Sequence, residues 1–284
     1  MRANLESRIS QIDIYLKKIY KKIFKQTETE PVSIHDCNIF DELDYESYLN
    51  NQKLLDEYLC NHYNYDHGLK FFSFRKFFKL PRTFKSYEFY LKTYFPEFSI
   101  VKNDAIIDIG AHHGIFTINM ASMGAQVYSF EPNPMSFEIL SKNIDVNNFF
   151  HIPIINNFAI SKLNNATVKF DLGVRSTAGS TEKLKNEKLR SGKTIIVNTI
   201  NIDDYLEKNK ISNIKLLKMD CEGAEYEIIE NFEKIIDIKY LIVEAHETIN
   251  YSPQQLINEL SSRGFNVNKV KANYGAYELY CRKK

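Results

Sequence analysis

The sequence lacks several features that would place it in a specialised class of protein. It has no tryptophan and only four cysteines, Cys37, Cys60, Cys221 and Cys281, none of which forms a CxxC pair with another. This spacing argues against a disulfide framework or a structural zinc site and is typical of reduced thiols in a cytosolic protein. No apolar run reaches the ~18 residues of a transmembrane helix, and no secretory signal is recognisable at the N-terminus.

An excess of charge of either sign is also missing. The 284 residues include 37 Lys and Arg and 36 Asp and Glu, which gives a formal net charge of +1. A nearly neutral chain has no global field that would attract nucleic acid or an acidic partner. With 44% hydrophobic and 26% charged residues, the composition is that of a globular protein of one or two domains. We therefore expect a cytoplasmic globular protein without a nucleic-acid partner.

Residues 1–99 predict a mainly helical N-terminal extension. Apolar residues recur at helical spacing within 5–25 and lysines lie beside them, which predicts an amphipathic helix. Three interpretations of this helix stay open. It could pack on its own domain or on a second subunit, it could form a short coiled-coil homodimer, or its basic face could rest on the inner membrane surface as a peripheral contact.

A basic and aromatic segment, residues 68–85, follows within this extension. It contains six phenylalanines and six basic residues but no acid. The segment is either a helix or strand that fills the core, or a substrate-facing or interfacial element in which cations meet an anionic substrate. Pro81 excludes a continuous helix here, and residues 86–99 are predicted to form a helix that leads into the main domain.

From residue 100 to 284, short apolar strands alternate with amphipathic helices. Buried strands are predicted at 105–110, 125–131, 151–160, 214–220 and 239–246. Helices are predicted after the first strand through Met123, and at 137–148, 224–236 and 253–264. Residues 166–170 and 194–200 predict a hairpin-like excursion, and the chain closes with a β-hairpin. This order predicts an α/β fold with a mainly parallel sheet covered on both faces.

Two features within residues 105–131 indicate an adenosine cofactor. Gly110 stands where a strand turns into a helix, and its missing side chain would permit a tight turn and close approach of a ligand. Gly114 would let the helix pack close to the strand. Glu131 ends the next strand, where its carboxylate can accept hydrogen bonds from both hydroxyls of a ribose. Ala111-His112 replaces the second glycine of a dinucleotide turn, which argues against NAD.

These motifs resemble the FkbM family of methyltransferases. The resemblance covers about residues 100–248 and rests on DIGAHHGIFT (108–117), FEPNP (130–134), Asn143 with Asn147, NFAIS (157–161) and LKMDCEGAE (217–225). It implies a class I, Rossmann-like seven-stranded sheet with a terminal β-hairpin, S-adenosylmethionine as cofactor, and usually O-methylation of a hydroxyl on a sugar or natural product. His112 and His113 depart from the pattern, because the family more often has Asn followed by an apolar residue.

The resemblance also implies which residues contact the cofactor: Asp108, Gly110, Ala111, His112, Gly114, Glu131, Pro132, Asn133, Asn157, Ala159 and Asp220. The turn after the first strand would line the methionine and ribose, and Glu131 would hold the ribose hydroxyls. Pro132 and Asn133 would flank the adenine, whose edge Asn157 and Ala159 would approach. Asp220 would face the methionine amine or the acceptor.

An acceptor hydroxyl needs a base, or a metal that lowers its pKa. The candidates at the ends of two adjacent strands are Asp220, Glu222, Glu244 and His246. His246 is the preferred general base; a divalent metal shared by Asp220, Glu244 and His246, or a purely structural histidine, is the alternative. Glu222 could instead form the turn before the next helix, and Glu225 is expected to be a solvated or capping acid of its first turn.

A polar loop at residues 171–192 is predicted to lie beside the mouth of the site. Arg175, Ser176, Thr177, Ser180 and Thr181 resemble a serine-rich segment of the family, which favours a lid or acceptor-binding loop over a solvated excursion. Arg175 could clamp a phosphate or carboxylate of the acceptor. The favoured acceptor is a saccharide or lipid-linked glycan; a non-catalytic binding module and a nucleic-acid methyltransferase are the competing hypotheses.

Overall fold

The computed structural model describes residues 69–73, 76–80, 91–173, 180–181, 193–271 and 276–284. The predicted amphipathic helix at 5–25 lies outside these residues, as do Arg175 and Ser176. Within the described part of the chain, no helix is both long and apolar enough to cross a membrane.

Twelve strands are described, and seven of them form the central sheet. The strands are β1 (Leu69–Ser73), β2 (Lys76–Leu80), β3 (Ala105–Ile109), β4 (Gln126–Phe130), β5 (Ile154–Asn156), β6 (Ala159–Ile160), β7 (Thr167–Asp171), β8 (Thr194–Ile200), β9 (Ile214–Met219), β10 (Tyr240–Ala245), β11 (Phe265–Lys271) and β12 (Tyr277–Lys283). The central sheet has the order β11-β12-β10-β9-β3-β4-β5.

Pairing in this sheet is parallel from β10 through β9, β3 and β4 to β5, and β12 lies antiparallel between β10 and β11. The predicted α/β fold, a seven-stranded sheet with a terminal β-hairpin, is therefore confirmed. Its central strands are apolar because both faces are covered: Ile106 and Ile107 of β3, for example, are completely buried.

The described helices are α1 (Ile115–Ser122), α2 (Pro134–Asp145), α3 (Ile202–Lys208), α4 (Glu225–Asn231) and α5 (Pro253–Ser262), with a 3₁₀ helix at Glu233–Asp237. Helix α2 begins three residues before the prediction, because Pro134 occupies its first position and the Asn133 side chain accepts a hydrogen bond from the Met135 amide. Helix α3 was not predicted, although Asn201 caps it in the same way by accepting from the Asp204 amide.

The prediction of one strand over residues 151–160 was wrong. Strand β5 belongs to the central sheet, whereas β6 pairs with β8 in a separate sheet of the order β6-β8-β7. Between them, the side-chain amide of Asn157 donates to the backbone oxygens of Glu131 (2.8 Å) and Pro132 (3.1 Å). Asn157 thus lies across the end of β4, and the chain leaves the central sheet there.

The described part of the predicted helical extension contains more strand than helix. Strands β1 and β2 form an antiparallel hairpin within the basic and aromatic segment, and β1 lies against α1 and α2. Helical structure in the described part of residues 86–99 is limited to 91–94, because Pro96 cannot continue it. The boundary at residue 99 stays a prediction.

Candidate active site

One row of residues crosses the central sheet where its parallel strands end. Asp108 of β3 pairs with Ser129 of β4 and with Lys218 of β9, which pairs in turn with Ile242 of β10. Residues two positions apart along a strand share a face. The next row towards the carboxyl ends is therefore Glu131, Gly110, Asp220 and Glu244, all of them predicted site residues.

Gly110 and Asp220 make the closest backbone approach in this row. A Cβ atom at Gly110 would lie 1.8 Å from the carbonyl oxygen of Asp220, and Gly110 has a left-handed φ of +75°. Both the backbone conformation of the turn and the close approach of Asp220 therefore require glycine at this position. The sequence had predicted only the tight turn and the approach of a ligand. The two ends of the site, one at β3 and β4 and the other at β9 and β10, therefore meet at this contact.

Glu131 is buried at the end of β4 and is held by two backbone amides. His112 donates to Oε2 at 2.7 Å, and Asn133 donates to Oε1 at 2.8 Å. Glu131 makes no ion pair within the described part of the chain. A carboxylate has about four acceptor positions, so both oxygens can still accept a hydrogen bond each. This arrangement fits the two hydroxyls of a ribose.

The pKa of Glu131 reflects this environment. Burial raises it to about 7, although the hydrogen bonds from the Asn133 and His112 amides oppose the rise. The carboxylate therefore changes its charge close to neutral pH, and a ligand that donates hydrogen bonds to it favours the ionised form.

Lys218 lies two positions before Asp220 along the chain and contacts residues of both rows. Its Nζ atom donates to the carbonyl oxygen of Gly110 at 2.9 Å and lies 3.5 Å from Asp108 and 3.7 Å from Asp220. Burial lowers the pKa of Lys218, but the two carboxylates more than offset this and hold it above its usual value. Asp108 also accepts from the Thr117 hydroxyl at 2.6 Å. Asp108 is therefore connected through Lys218 to the carbonyl oxygen of Gly110 in the predicted cofactor turn.

The two histidines of the turn stack on each other, with ring centroids 3.6 Å apart. His112 has a left-handed φ of +51°, which aims its amide at Glu131. His113 is buried, and burial lowers its pKa to about 4. Its carbonyl oxygen accepts from the side chain of Asn143 at 2.7 Å, and Asn147 donates to Asn143 in turn. The paired asparagines of the family motif thus fix this turn onto α2.

The other predicted cofactor residues surround this end of the sheet. A Cβ atom at Gly114 would lie 2.2 Å from Cδ1 of Leu140, so Gly114 allows α2 to approach, a contact that was not predicted. Ala111 and Asn133 are buried, Pro132 and Asn157 lie at the end of β4, and Ala159 packs with Phe170 and Val197. Their contacts with the cofactor stay predictions.

The other end of the row carries a cluster of carboxylates around His246. Nε2 of His246 lies 3.3 Å from Glu222 and 3.6 Å from Glu244, and Nδ1 lies 3.1 Å from Glu225. The structure therefore brings Glu222, Glu244 and His246 together, as predicted, with Asp220 at the end of the adjacent strand. Glu222 has a left-handed φ of +52°.

Glu225 is not the solvated acid that the sequence suggested. Its side chain is completely buried. It accepts hydrogen bonds from the Cys221 and Gly223 amides, each at 2.8 Å. The expectation of a capping acid is therefore met by these amide contacts, while the contact with His246 was missed because it depends on a strand 21 residues further along the chain.

The pKa values of His246 and Glu222 are both raised in this cluster. Burial lowers the pKa of His246, but the surrounding glutamates, Glu222 first, raise it well above its usual value. Burial raises the pKa of Glu222 to about 8, against the opposing effect of His246. The two groups titrate as one unit. We conclude that the Glu222–His246 pair retains a proton at neutral pH and can accept another group's proton only after losing it.

A metal ion is the other chemistry that this cluster could support. Asp220, Glu225 and His246 each offer one atom, and the three atoms lie within 4.8 Å of one another. The predicted set contained Glu244 in place of Glu225. A cation bound by these three would replace the contact between Glu225 and His246.

Ser180 connects the polar loop to this end of the site. It is buried, forms a two-way backbone bridge with Asp171, and donates its hydroxyl hydrogen to the carbonyl oxygen of Glu222. Ser180 therefore contacts the turn that carries Glu222 of the acidic cluster. Binding of an acceptor by Arg175, Ser176 and Ser180 stays a prediction.

Two further residues were overlooked in the sequence. Lys218 lies two positions before Asp220 on the same face of β9, so strand periodicity could have found it. Glu278 is buried and directly opposite Glu244 on β12, and it accepts from the Tyr280 hydroxyl. Its contribution depends on the register of the terminal hairpin, for which no local signal exists.

The chain is similar to several known methyltransferases. It is 25% identical over 173 residues to the hexuronic acid methyltransferase AglP of Haloferax volcanii, covering 61% of this chain and 67% of AglP. It is 23% identical over 205 residues to methyltransferase sdnD of Sordaria araneosa, covering 62% of this chain and 79% of sdnD. Among solved structures, M. capricolum TrmK in complex with S-adenosylhomocysteine aligns with 16% identity and a TM-score of 0.40, covering 69% of this chain and 68% of TrmK.

The family comparison covers more than half of the chain and includes both ends of the row. Residues 108–267 match the methyltransferase FkbM domain. This range begins at the Asp108 turn and extends beyond His246. The chain belongs to the FkbM methyltransferase family, and S-adenosylmethionine is its cofactor.

Proposed function

We propose that the protein transfers a methyl group from S-adenosylmethionine to a hydroxyl oxygen of a saccharide. The observation that carries the proposal is the position of the Glu222–His246 pair, 3.3 Å apart, beside Asp220, whose carbonyl oxygen packs on the cofactor turn at Gly110. These contacts support a role for the pair in accepting a proton close to the place where a methyl group would be delivered.

When bound, S-adenosylmethionine supplies a methyl group on a positively charged sulfur, which needs little further activation. Glu131 would accept hydrogen bonds from the ribose hydroxyls, while the His112 and Asn133 amides keep its two oxygens in place. The negative charge of Asp220 would attract the positive end of the cofactor. Correct orientation of cofactor and acceptor can contribute several kcal/mol to catalysis, on the order of 7 kcal/mol in favourable cases.

The acidic end suits a neutral acceptor atom. Glu222, Glu225 and Glu244 surround one imidazole, so an acceptor carboxylate placed here would be repelled by charges of the same sign. A hydroxyl can donate its hydrogen to this cluster. In the deprotonated state, the Glu222–His246 pair would accept the hydroxyl proton as the oxygen attacks the methyl group.

The choice of a saccharide rests on two supports. AglP is a hexuronic acid methyltransferase, and a sugar would present neutral hydroxyls to the acidic cluster. Arg175 was predicted to clamp a carboxylate or phosphate, which on a uronic acid or lipid-linked sugar lies on a different carbon from most of the hydroxyls. Cluster and arginine would then recognise different parts of one acceptor.

The experiment is transfer of radiolabelled methyl from S-adenosylmethionine to nitrophenyl glucuronides, neutral nitrophenyl hexosides and, as a negative control, transfer RNA. We expect alkali-stable label, as in a methyl ether, on a sugar and none on RNA. Glu222→Gln and His246→Gln should each lower kcat by about 100-fold or more, the usual contribution of a general base.

Three outcomes would contradict this proposal. Label on RNA, or alkali-labile label typical of a methyl ester, would exclude hydroxyl methylation of a sugar. Full turnover of both variants, with loss of activity in EDTA that Mg²⁺ restores, would replace the base with a metal ion. Cofactor binding without transfer to any acceptor class would favour a binding module.

A further inference from the structure

The side chain of Glu225 is the most completely enclosed charge in the acidic cluster. It is 0% exposed, whereas the side chains of Glu222 and Glu244 are 15% and 13% exposed. A glutamate in the first turn of a helix needs no such burial for capping. The enclosure of a full charge is costly unless each oxygen is hydrogen-bonded, so the contacts of Glu225 call for a specific explanation.

Two backbone amides and one ring nitrogen surround this carboxylate. Oε1 accepts from the Cys221 amide at 2.8 Å and lies 3.1 Å from Nδ1 of His246, while Oε2 accepts from the Gly223 amide at 2.8 Å. The two amides flank Glu222 in the chain. One side chain therefore fixes the turn that presents Glu222 and also contacts the imidazole that Glu222 faces.

The contact between Glu225 and Nδ1 determines which ring nitrogen of His246 carries the hydrogen when the imidazole is neutral. An ionised carboxylate can only accept hydrogen bonds, so Nδ1 must carry a hydrogen to bond with Glu225. When His246 loses one proton, the proton therefore leaves Nε2, and the free electron pair faces Glu222 and Glu244. The backbone oxygen of His246 also accepts from the Tyr226 hydroxyl at 2.8 Å, which restrains the residue from a second side.

We propose that Glu225 is a positioning residue that holds His246 with its hydrogen on Nδ1 and presents Nε2, together with Glu222, to the methyl acceptor. This rests on the proposed function, since it concerns the same proton-accepting pair. Glu225 acts through His246 and the 221–223 turn and has no contact with the acceptor in this role.

Two substitutions separate charge from hydrogen bonding. In Glu225→Gln, the amide oxygen can replace Oε1 and still accept from Cys221 and His246, while its NH₂ group faces the Gly223 amide. In Glu225→Leu, every acceptor is lost. The matched control is Glu227→Gln, because Glu227 lies two residues further on α4 and accepts instead from Ser161 and Lys162.

The first readout is nitrogen NMR of the histidine rings in the full chain, which requires no acceptor. The His246 signal is assigned by its loss in His246→Gln. When His246 is neutral, we expect hydrogen on Nδ1 in the wild type, in Glu225→Gln and in Glu227→Gln. Glu225→Leu should shift the hydrogen to Nε2.

The second readout is turnover with the sugar that the labelled-methyl assay identifies, together with the affinity for S-adenosylhomocysteine and the melting temperature. Glu225→Leu should lower kcat by about 100-fold with little change in KM, a loss comparable to that of the base itself. Glu225→Gln should lose about tenfold and Glu227→Gln less than twofold. S-adenosylhomocysteine affinity should stay unchanged in all three.

The results distinguish this inference from the proposed function. If His246→Gln is inactive but Glu225→Leu keeps full turnover or retains hydrogen on Nδ1, the positioning role is wrong and the base remains. If His246→Gln is fully active, the proposed base itself fails. If Glu225→Leu unfolds, Glu225→Gln still decides: hydrogen on Nε2 in that variant contradicts the inference, and hydrogen on Nδ1 with about tenfold lower turnover supports it.

Discussion

Glu131 and Glu225 are two buried glutamates at the two ends of the candidate site, and their partners differ in one respect. Each accepts two hydrogen bonds from backbone amides. Glu225 also contacts His246, whereas Glu131 makes no ion pair in the described ranges. Backbone amides hold the Glu131 carboxylate in place but do not give up their protons at ordinary pH. The remaining acceptor positions of Glu131 are therefore available to a ligand. A histidine exchanges protons, so Glu225 belongs to a proton-handling unit.

The comparison indicates a division of work within one site. In the proposed function, the end formed by β3 and β4 binds the cofactor by hydrogen bonds, and the end formed by β9 and β10 takes up a proton. They meet where the Gly110 turn packs on the Asp220 carbonyl. If the two ends pack on each other at Gly110, changes at this contact should lower the stability of the fold. If they have separate roles, changes at one end should affect cofactor binding and changes at the other should affect turnover.

The largest effect is expected from Gly110→Ala, which would break the junction. The new Cβ atom would clash with the Asp220 carbonyl, so the variant should lose about 3 kcal/mol or more of unfolding free energy. Gly124→Ala is the matched control: Gly124 has a φ of +97°, but its nearest neighbour would lie 3.7 Å away. It should lose only the cost of a left-handed backbone, about 1 to 2 kcal/mol. Equal losses in urea unfolding would show that the junction is not tightly packed.

His113 should make the cofactor end sensitive to acid. Its pKa is about 4 in the fold against an ordinary 6.5, so the neutral ring contributes stability above pH 6.5 that is lost as the pH falls through 4. For this shift, the wild type should lose about 3 kcal/mol at most relative to His113→Gln over that range. Chemical denaturation at pH 7 and pH 4 measures the difference. His151→Gln, at a less buried histidine, should retain the wild-type dependence.

Binding and transfer should depend on pH at different values. We propose that ionised Glu131 accepts hydrogen bonds from the ribose, so affinity for S-adenosylhomocysteine should be constant above about pH 7 and fall by up to tenfold per unit below it. Turnover at saturating cofactor should rise as the pH increases through about 8, where Glu222 loses its proton. Calorimetry and initial rates across pH 5.5 to 9 in roughly half-unit steps would show both inflections. A shared inflection would mean that the ends do not titrate independently.

The smallest effect is expected from Ser180→Ala, which removes one hydrogen bond to the Glu222 carbonyl. A neutral hydrogen bond contributes about 1 kcal/mol, so kcat should fall by about fivefold while cofactor affinity stays the same. Ser161→Ala removes a hydroxyl contact outside the acidic cluster, to the Glu227 carboxylate, and should leave kcat unchanged. If both serine variants behave alike, the loop does not act through Glu222.

The sequence was sufficient to predict most of this fold and the strand ends at which the candidate site residues meet. Continuous apolar runs predicted β3, β9 and β10, and the spacing from Gly110 to Glu131 predicted the cofactor end. These signals are local, since each depends on one strand and the turn that follows it. The split of residues 151–160 was missed because it depends on Asn157 reaching the end of another strand.

The partners of each site residue were harder to predict. Nothing near Glu225 in the sequence distinguishes an enclosed partner of His246 from an ordinary capping acid, because the histidine follows β10, which is distant in sequence. The need for glycine at positions 110 and 114 was only partly predicted for the same reason. A Cβ atom at Gly110 would meet Asp220 after β9, and one at Gly114 would meet Leu140 of α2, and both partners are distant in sequence. Helix α3 is different, since Asn201 and the two aspartates after it were a local signal that could have been used.

Calorimetry of S-adenosylhomocysteine binding to Glu131→Gln and Glu222→Gln, side by side with the wild type, tests the division of work most directly. Glu131→Gln should bind about 100-fold more weakly, since two hydrogen bonds to a charged group contribute about 3 kcal/mol. Glu222→Gln should bind as the wild type does while its turnover is lost. Unchanged binding in Glu131→Gln, or an equal loss in both variants, would contradict the account.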